Sequence, residues 1–138
     1  MKYFTESEFL GWFESTSQKQ LDRLDKFREL WGAPVKISPV DGGLGRRGGA
    51  SKSTHNIDRH GEVMAADIFP KGLDKNNLQR AYDCAIKAGF TGIGVYKDAR
   101  PSIMMHLDSR PGRLAQWSAW RKPNGGWRYS GIAEAGIK

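Results

Sequence analysis

Residues 48–68, GGASKSTHNIDRHGEVMAADI, change character part-way along, and that change decides the fold. The first half is polar and glycine-rich, as a loop is. From Met64 the run Met64-Ala65-Ala66-Asp67-Ile68-Phe69 is apolar enough for a buried strand, which Pro70 stops. Asp67 is the exception within it. An unpaired carboxylate in such a setting is costly, and buried carboxylates are normally paired or bound to metal. Two imidazoles, His55 and His60, stand just upstream.

Outward from this centre the chain alternates between helix and strand patterns. Upstream, Thr5-x-x-Glu8 has the form of a capping box and predicts a short helix carrying Phe9, Leu10, Trp12 and Phe13. Ser17-x-x-Gln20 repeats the signal before Leu21, Leu24, Phe27, Leu30 and Trp31, spaced as one helical face and ended by Gly32 and Pro34. Val35-Lys36-Ile37-Ser38 alternates like a strand, and residues 41–61 read as a long loop. Downstream, Asp74 caps a helix bearing Leu78, Ala81, Tyr82, Ala85 and Ile86, with Gly89 at its stop. Strands follow near 91–97 and 102–109, then an aromatic, basic hairpin about 114–131 around Pro123-Asn124-Gly125-Gly126. The expectation is one α+β domain over residues 1–138: a small antiparallel sheet with packed helices and a site core about 35–110.

Composition narrows the class. Five Trp, four Tyr and six Phe give a core large surfaces to bury, which argues against disorder. No run reaches the roughly 20 apolar residues of a membrane span. Glu6, Glu8 and Gly11 interrupt the N-terminal apolar residues, so no secretory signal is expected and synthesis is placed in the cytoplasm. Cys84 stands alone, which excludes an internal disulfide and suits a buried structural thiol. The net charge is +7, concentrated around Arg46, Arg47 and Lys52 and across residues 109–138. That asymmetry implies an anionic partner, either nucleic acid or an acidic polymer such as a cell wall.

The third histidine lies in Ile103-Met104-Met105-His106-Leu107-Asp108-Ser109-Arg110. On a strand, alternate residues share a face, which puts His106, Asp108 and Arg110 together. They form either one wall of a cleft or a solvated face with an ion pair. Two imidazoles and one carboxylate with a fourth position for water make a catalytic zinc set.

The run Gly48-Gly49-Ala50-Ser51-Lys52-Ser53-Thr54-His55, followed by Ala65-Ala66-Asp67-Ile68, resembles the zinc D-alanyl-D-alanine carboxypeptidases. That family includes phage endolysins that cut L-Ala–D-Glu bonds, and it shares its fold with the hedgehog signalling domain. Its pattern is Gly-Gly-Ala-x-x-Ser-x-His, then Gly-x-Ala-x-Asp, then a His on a strand. Ile37-Ser38 matches its first strand, so the resemblance spans about 35–110. It implies Zn²⁺ ligands at His55, Asp67 and His106.

Two departures stand out. His55 and Asp67 are further apart than in the family, with residues 56–60 as an insertion. His60 would restore the spacing but lacks the lead-in, so His55 is preferred. Many relatives also carry a Glu, Asp or His base shortly before the last ligand, where this chain has Ile103. Asp108 is the best local substitute as the catalytic base, ahead of Glu62 and Asp98. Arg46, Arg47 or Arg110 is expected to grip a substrate carboxylate, and Ser53 to donate a hydrogen bond to substrate.

The expected function is zinc-dependent hydrolysis of peptidoglycan stem peptides, with the basic surface facing an anionic wall polymer. Phage-type release, or incorporation in a virion, would bring the chain to the wall. A non-catalytic module that keeps the metal for structure is the first rival, and a nucleic-acid-binding protein using the tail hairpin the second.

Overall fold

The computed structural model describes residues 1–40, 42–48 and 51–138, so Gly49 and Ala50 of the glycine-rich motif lie outside the described residues. Among the described residues, three α-helices, α1 (Gln18–Trp31), α2 (Ile57–His60) and α3 (Leu78–Ala88), accompany six strands. The strands are β1 (Val35–Ile37), β2 (Ala65–Pro70), β3 (Gly92–Tyr96), β4 (Met104–Asp108), β5 (Ala115–Arg121) and β6 (Trp127–Ser130). They form one sheet in the order β1-β2-β4-β3-β5-β6. The class is α+β, as the sequence predicts.

The sheet is mixed rather than wholly antiparallel. After the antiparallel pair of β3 and β4, the chain crosses to the other edge of β3, so β5 runs parallel to β3. The remaining neighbours are antiparallel, including the tail hairpin of β5 and β6.

The pleat divides the sheet between two tasks. Ala66, Ile68, Ile93, Val95, Met105 and Leu107 point into the hydrophobic core with Leu21, Leu24, Phe27 and Trp31 of α1 and Leu78, Ala81 and Ala85 of α3. Alternate residues, Asp67, Gly92, Gly94, Tyr96, His106 and Asp108, therefore share the opposite face. Buried Gln20 fixes α1 to the sheet: its Nε2 donates to the Leu107 carbonyl at 3.0 Å, and its Oε1 accepts from Ser109 Oγ at 2.6 Å. Cys84 is a free, buried thiol on α3.

Local signals set the helix ends. Ser17 Oγ accepts from Gln20 N at 3.1 Å, and Gly32 closes α1 at φ 80°. The capping box at Thr5 forms, its backbone N donating to Glu8 Oε2 at 2.6 Å, but only one 3₁₀ turn, Glu6–Phe9, follows. Left-handed backbone at Leu10 and Gly11 ends it before Trp12 and Phe13. Asp74 does not cap α3. It accepts from Asn76 N in a turn, and Asn77 is the N-cap residue. The predicted long loop contains the single turn α2, which holds most of the insertion. Among the described residues no helix is long and apolar enough to cross a membrane.

Candidate metal centre

Asp67 and His106 are direct cross-strand partners in the antiparallel pairing of β2 with β4. Residues opposite one another in such a ladder share a face with side chains close together, so the register alone brings the carboxylate to the imidazole. His55 arrives from the loop. Arg46 N donates to the His55 carbonyl at 2.8 Å, and Ile57 N donates to the Arg46 carbonyl at 2.9 Å, so Arg46 clamps the backbone on both sides of Asn56. Asn56 Nδ2 ties the segment back to the Ser51 carbonyl at 2.7 Å.

The three side chains converge. His55 Nε2 lies 3.1 Å from His106 Nδ1 and 3.4 Å from Asp67 Oδ1, and His106 Nδ1 lies 3.3 Å from Asp67 Oδ1. All three residues are buried.

Hydrogen bonds elsewhere on each ring fix which atoms meet there. His55 Nδ1 faces the Leu44 carbonyl at 2.6 Å. A carbonyl can only accept, so Nδ1 carries the proton and Nε2 presents its lone pair. His106 Nε2 donates to Asp108 Oδ2 at 2.7 Å, which leaves Nδ1 facing the triangle. When both imidazoles are neutral, three acceptor atoms converge on one point, and either a proton on His106 Nδ1 or a metal cation satisfies them.

The spacing suits zinc. Bonds of about 2.0–2.1 Å at a tetrahedral centre separate donor atoms by about 3.3 Å, the separation these atoms already have. The outer contacts are also those that orient metal-bound histidines, one backbone carbonyl and one carboxylate. His55, Asp67 and His106 are thus a group that could hold a metal.

Asp108, the expected base, is placed elsewhere. It is fully buried on the Nε2 side of His106, away from the nitrogen that faces the triangle. Arg110 binds it through Nε at 2.9 Å and Nη2 at 2.6 Å, and Thr54 Oγ1 donates to it at 3.1 Å. Burial pushes the Asp108 carboxyl up, but His106 and Arg110 outweigh burial and hold it well below the usual carboxylate range. Its lone pairs are committed. Asp98 accepts from Arg121 N at 2.9 Å, and Glu62 is exposed beside a separate hollow.

A cleft of ≈ 520 Å³ opens over the triangle. Ser53, Arg46 and Arg110 line it, although the Arg110 guanidinium is engaged by Asp108. Ser53 Oγ accepts from His55 N at 3.2 Å. Arg47 turns away and pairs with Asp58 at 2.8 Å. His60 lies at the end of α2, outside the cluster.

Several lining residues are not among the expected metal or substrate residues, although Lys52 belongs to the basic cluster and Trp117, Trp127 and Tyr129 to the aromatic hairpin. Lys52, Thr54, Tyr96, Trp117, Trp127 and Tyr129 all reach the cleft. The Trp117 ring lies against His106 with centroids 5.1 Å apart. Gly92 and Gly94 make this possible, because a methyl group at Gly92 would overlap the Asp108 carboxylate and one at Gly94 the Trp117 indole. The two glycines mark the site face of β3, a clue the sequence offers once the pleat is known.

A family model described as Peptidase M15 matches residues 4–108. The chain belongs to the peptidase M15 family. The match takes in His55, Asp67 and His106 and stops before β5 and β6, so Trp117, Trp127 and Tyr129 of the M15 cleft come from beyond it. Neither the curated proteins nor the solved structures give a match. M15 peptidases are zinc-dependent, and membership supports a metallopeptidase.

Electrostatics give this M15 site a pH dependence. Burial works to lower the His106 pKa, but hydrogen bonds to Asp108 and Asp67 outweigh it and raise it above its ordinary 6.5. Burial works to raise Asp67, yet His106 and His55 bring it from 3.8 to about 2. In the metal-free protein the His106 contribution to stability is complete below pH 6.5 and is lost as pH rises through the raised folded value. The Asp67 contribution is present above pH 3.8 and is lost as pH falls toward about 2. A metal must displace the proton from Nδ1, so its stabilisation grows with pH. Thermal midpoints with and without zinc are therefore expected to diverge between about pH 5 and pH 8. A gap that narrows with rising pH contradicts this electrostatic account.

Proposed function

We propose that the chain is a zinc peptidase acting on the stem peptides of bacterial peptidoglycan, with His55, Asp67 and His106 as the metal ligands. The observation that carries the reading is the acceptor triangle, with each imidazole's tautomer fixed from outside. Zinc held there supplies a Lewis acid that lowers the pKa of a water to about 7 and polarises a carbonyl. The protein's own groups do the rest. Asp108 positions His106 by accepting its Nε2 proton, and Arg110 holds Asp108 in turn, so we assign Asp108 to orientation and not to proton abstraction. Arg46 and Lys52, both at the cleft, are the cations available for a substrate carboxylate. Ser53, whose oxygen accepts from His55 N, still has its own proton to donate toward substrate.

The net charge of +7 suits an anionic wall polymer. Action at the wall fits a phage- or prophage-type protein released at lysis or carried in a virion. Whether it acts as a carboxypeptidase or as an endopeptidase depends on whether the cleft takes a free terminal carboxylate or a continuing chain.

One observation favours a second reading, a metal-stabilised binding module. Among the described residues lining the cleft, Asp67 is the only carboxylate, and none of the others there could serve as a carboxylate base. Zymography on purified walls, with chelator and with zinc restored, separates the two. Clearing that chelator abolishes and zinc restores is expected; stoichiometric zinc with no clearing at any pH would establish the binding module.

A further inference from the structure

Among the described residues lining the cleft no carboxylate joins Asp67, but a phenol that the family resemblance does not assign does. Tyr96 lies on β3 two residues after Gly94, and Gly94 is the register partner of His106 on β4 and of Trp117 on β5. The pleat puts Tyr96 on the metal face of the sheet. The Trp117 indole lies over Gly94, against the His106 ring, and its Nε1–H donates to the Tyr96 hydroxyl oxygen at 3.4 Å. That oxygen is therefore one indole away from the ligand triangle. Trp117 occupies it as a donor, so the phenol keeps its own hydrogen, which has the Tyr129 hydroxyl as a partner until a stronger acceptor enters the cleft.

The ring is held firmly. Trp127 meets it edge-on at 5.1 Å and 89°, and Tyr129 at 6.4 Å and 88°, both from the hairpin beyond the family match. A donor fixed by packing before substrate arrives needs little rearrangement during reaction.

We propose that Tyr96 is a catalytic residue, its hydroxyl donating a hydrogen bond to the scissile carbonyl oxygen as that oxygen gains negative charge. The proposal rests on the peptidase reading above and names a residue for that same site. Burial pushes the phenol up to about 12, so it stays protonated throughout the neutral range and serves as a donor, not as a base. No proton need leave it: the hydrogen bond tightens in the transition state and relaxes when the product amine departs. The hairpin thereby acquires a role, since Trp117 sets the hydroxyl's orientation while Trp127 and Tyr129 hold the ring.

Tyr96→Phe tests this while keeping the ring and its packing. The variant is expected to bind one zinc per chain as the wild type does and to retain KM, with kcat lowered about 100-fold. Affinity for a phosphinate analogue of the cleaved dipeptide should fall in parallel, because the analogue presents the developing oxyanion. Trp117→Phe, which removes the indole donor together with part of the ring packed over Gly94 and against His106, should give a smaller loss of the same kind. An active wild type with an equally active Tyr96→Phe overturns the proposal and leaves the peptidase reading intact. A loss that appears in KM or in zinc content, with analogue affinity unchanged, overturns it as well. A zinc-loaded wild type that cleaves neither wall nor peptide overturns the peptidase reading and the Tyr96 role together.

Discussion

Asp67→Ala is expected to abolish stoichiometric zinc binding and with it all wall cleavage, because it removes one of three donors and the only negative charge among them. Loss of an outer partner of a metal-bound histidine costs about 10–100-fold in affinity, and loss of a ligand itself should exceed about 100-fold. The same change leaves His55 and His106 facing each other at 3.1 Å with no carboxylate between them. Metal analysis after dialysis, with His60→Ala alongside, is the check. His60 lies outside the cluster, so its removal should leave zinc content unchanged. Zinc retained by Asp67→Ala but lost by His60→Ala would reverse the ligand assignment.

The second large effect is expected at Asp108. In Asp108→Asn the buried carboxylate no longer balances Arg110 or draws the proton of His106 Nε2. Breaking a buried ion pair costs about 3–5 kcal/mol. Arg110 is partly exposed and the amide keeps one acceptor, so about 2–3 kcal/mol is expected here. Zinc affinity should fall about 10–100-fold while the three ligands stay in place. Urea unfolding of the metal-free protein reads the first effect, and competition with a coloured chelator reads the second. A base that takes the water's proton gives another pattern, in which Asp108→Asn binds zinc normally and only kcat collapses. That outcome would return Asp108 to the role its strand position first suggested.

Much of this was legible in the chain because each signal was local. Ser17 and Gly32 bound α1 through a cap and a left-handed stop, and the apolar stripe from Leu21 to Trp31 shows which face packs. Asp67 stands out in the sequence as a carboxylate in an apolar strand, and His106 as an imidazole on another. What the chain could not show was set by pairing between distant segments. The identity of the cross-strand partner of His106 depends on the register of β2 against β4, and no local pattern fixes that. Asp108 shares a face with His106, which suggested a base, but sharing a face does not say which ring nitrogen it meets. Its capture by Arg110 and Thr54 needed three segments in place. The parallel entry of β5 beside β3 was hidden for the same reason, and with it the arrival of Trp117 over His106. At Thr5, a correct capping signal was cut short by the backbone turn at Leu10 and Gly11.

The central claim concerns a single point in space, and anomalous diffraction at the zinc edge from crystals of the zinc-loaded protein tests it directly. One peak per chain within bonding distance of His55 Nε2, Asp67 Oδ1 and His106 Nδ1 is the predicted result. A peak on His60 or elsewhere on the surface, with those three atoms turned apart, would contradict it.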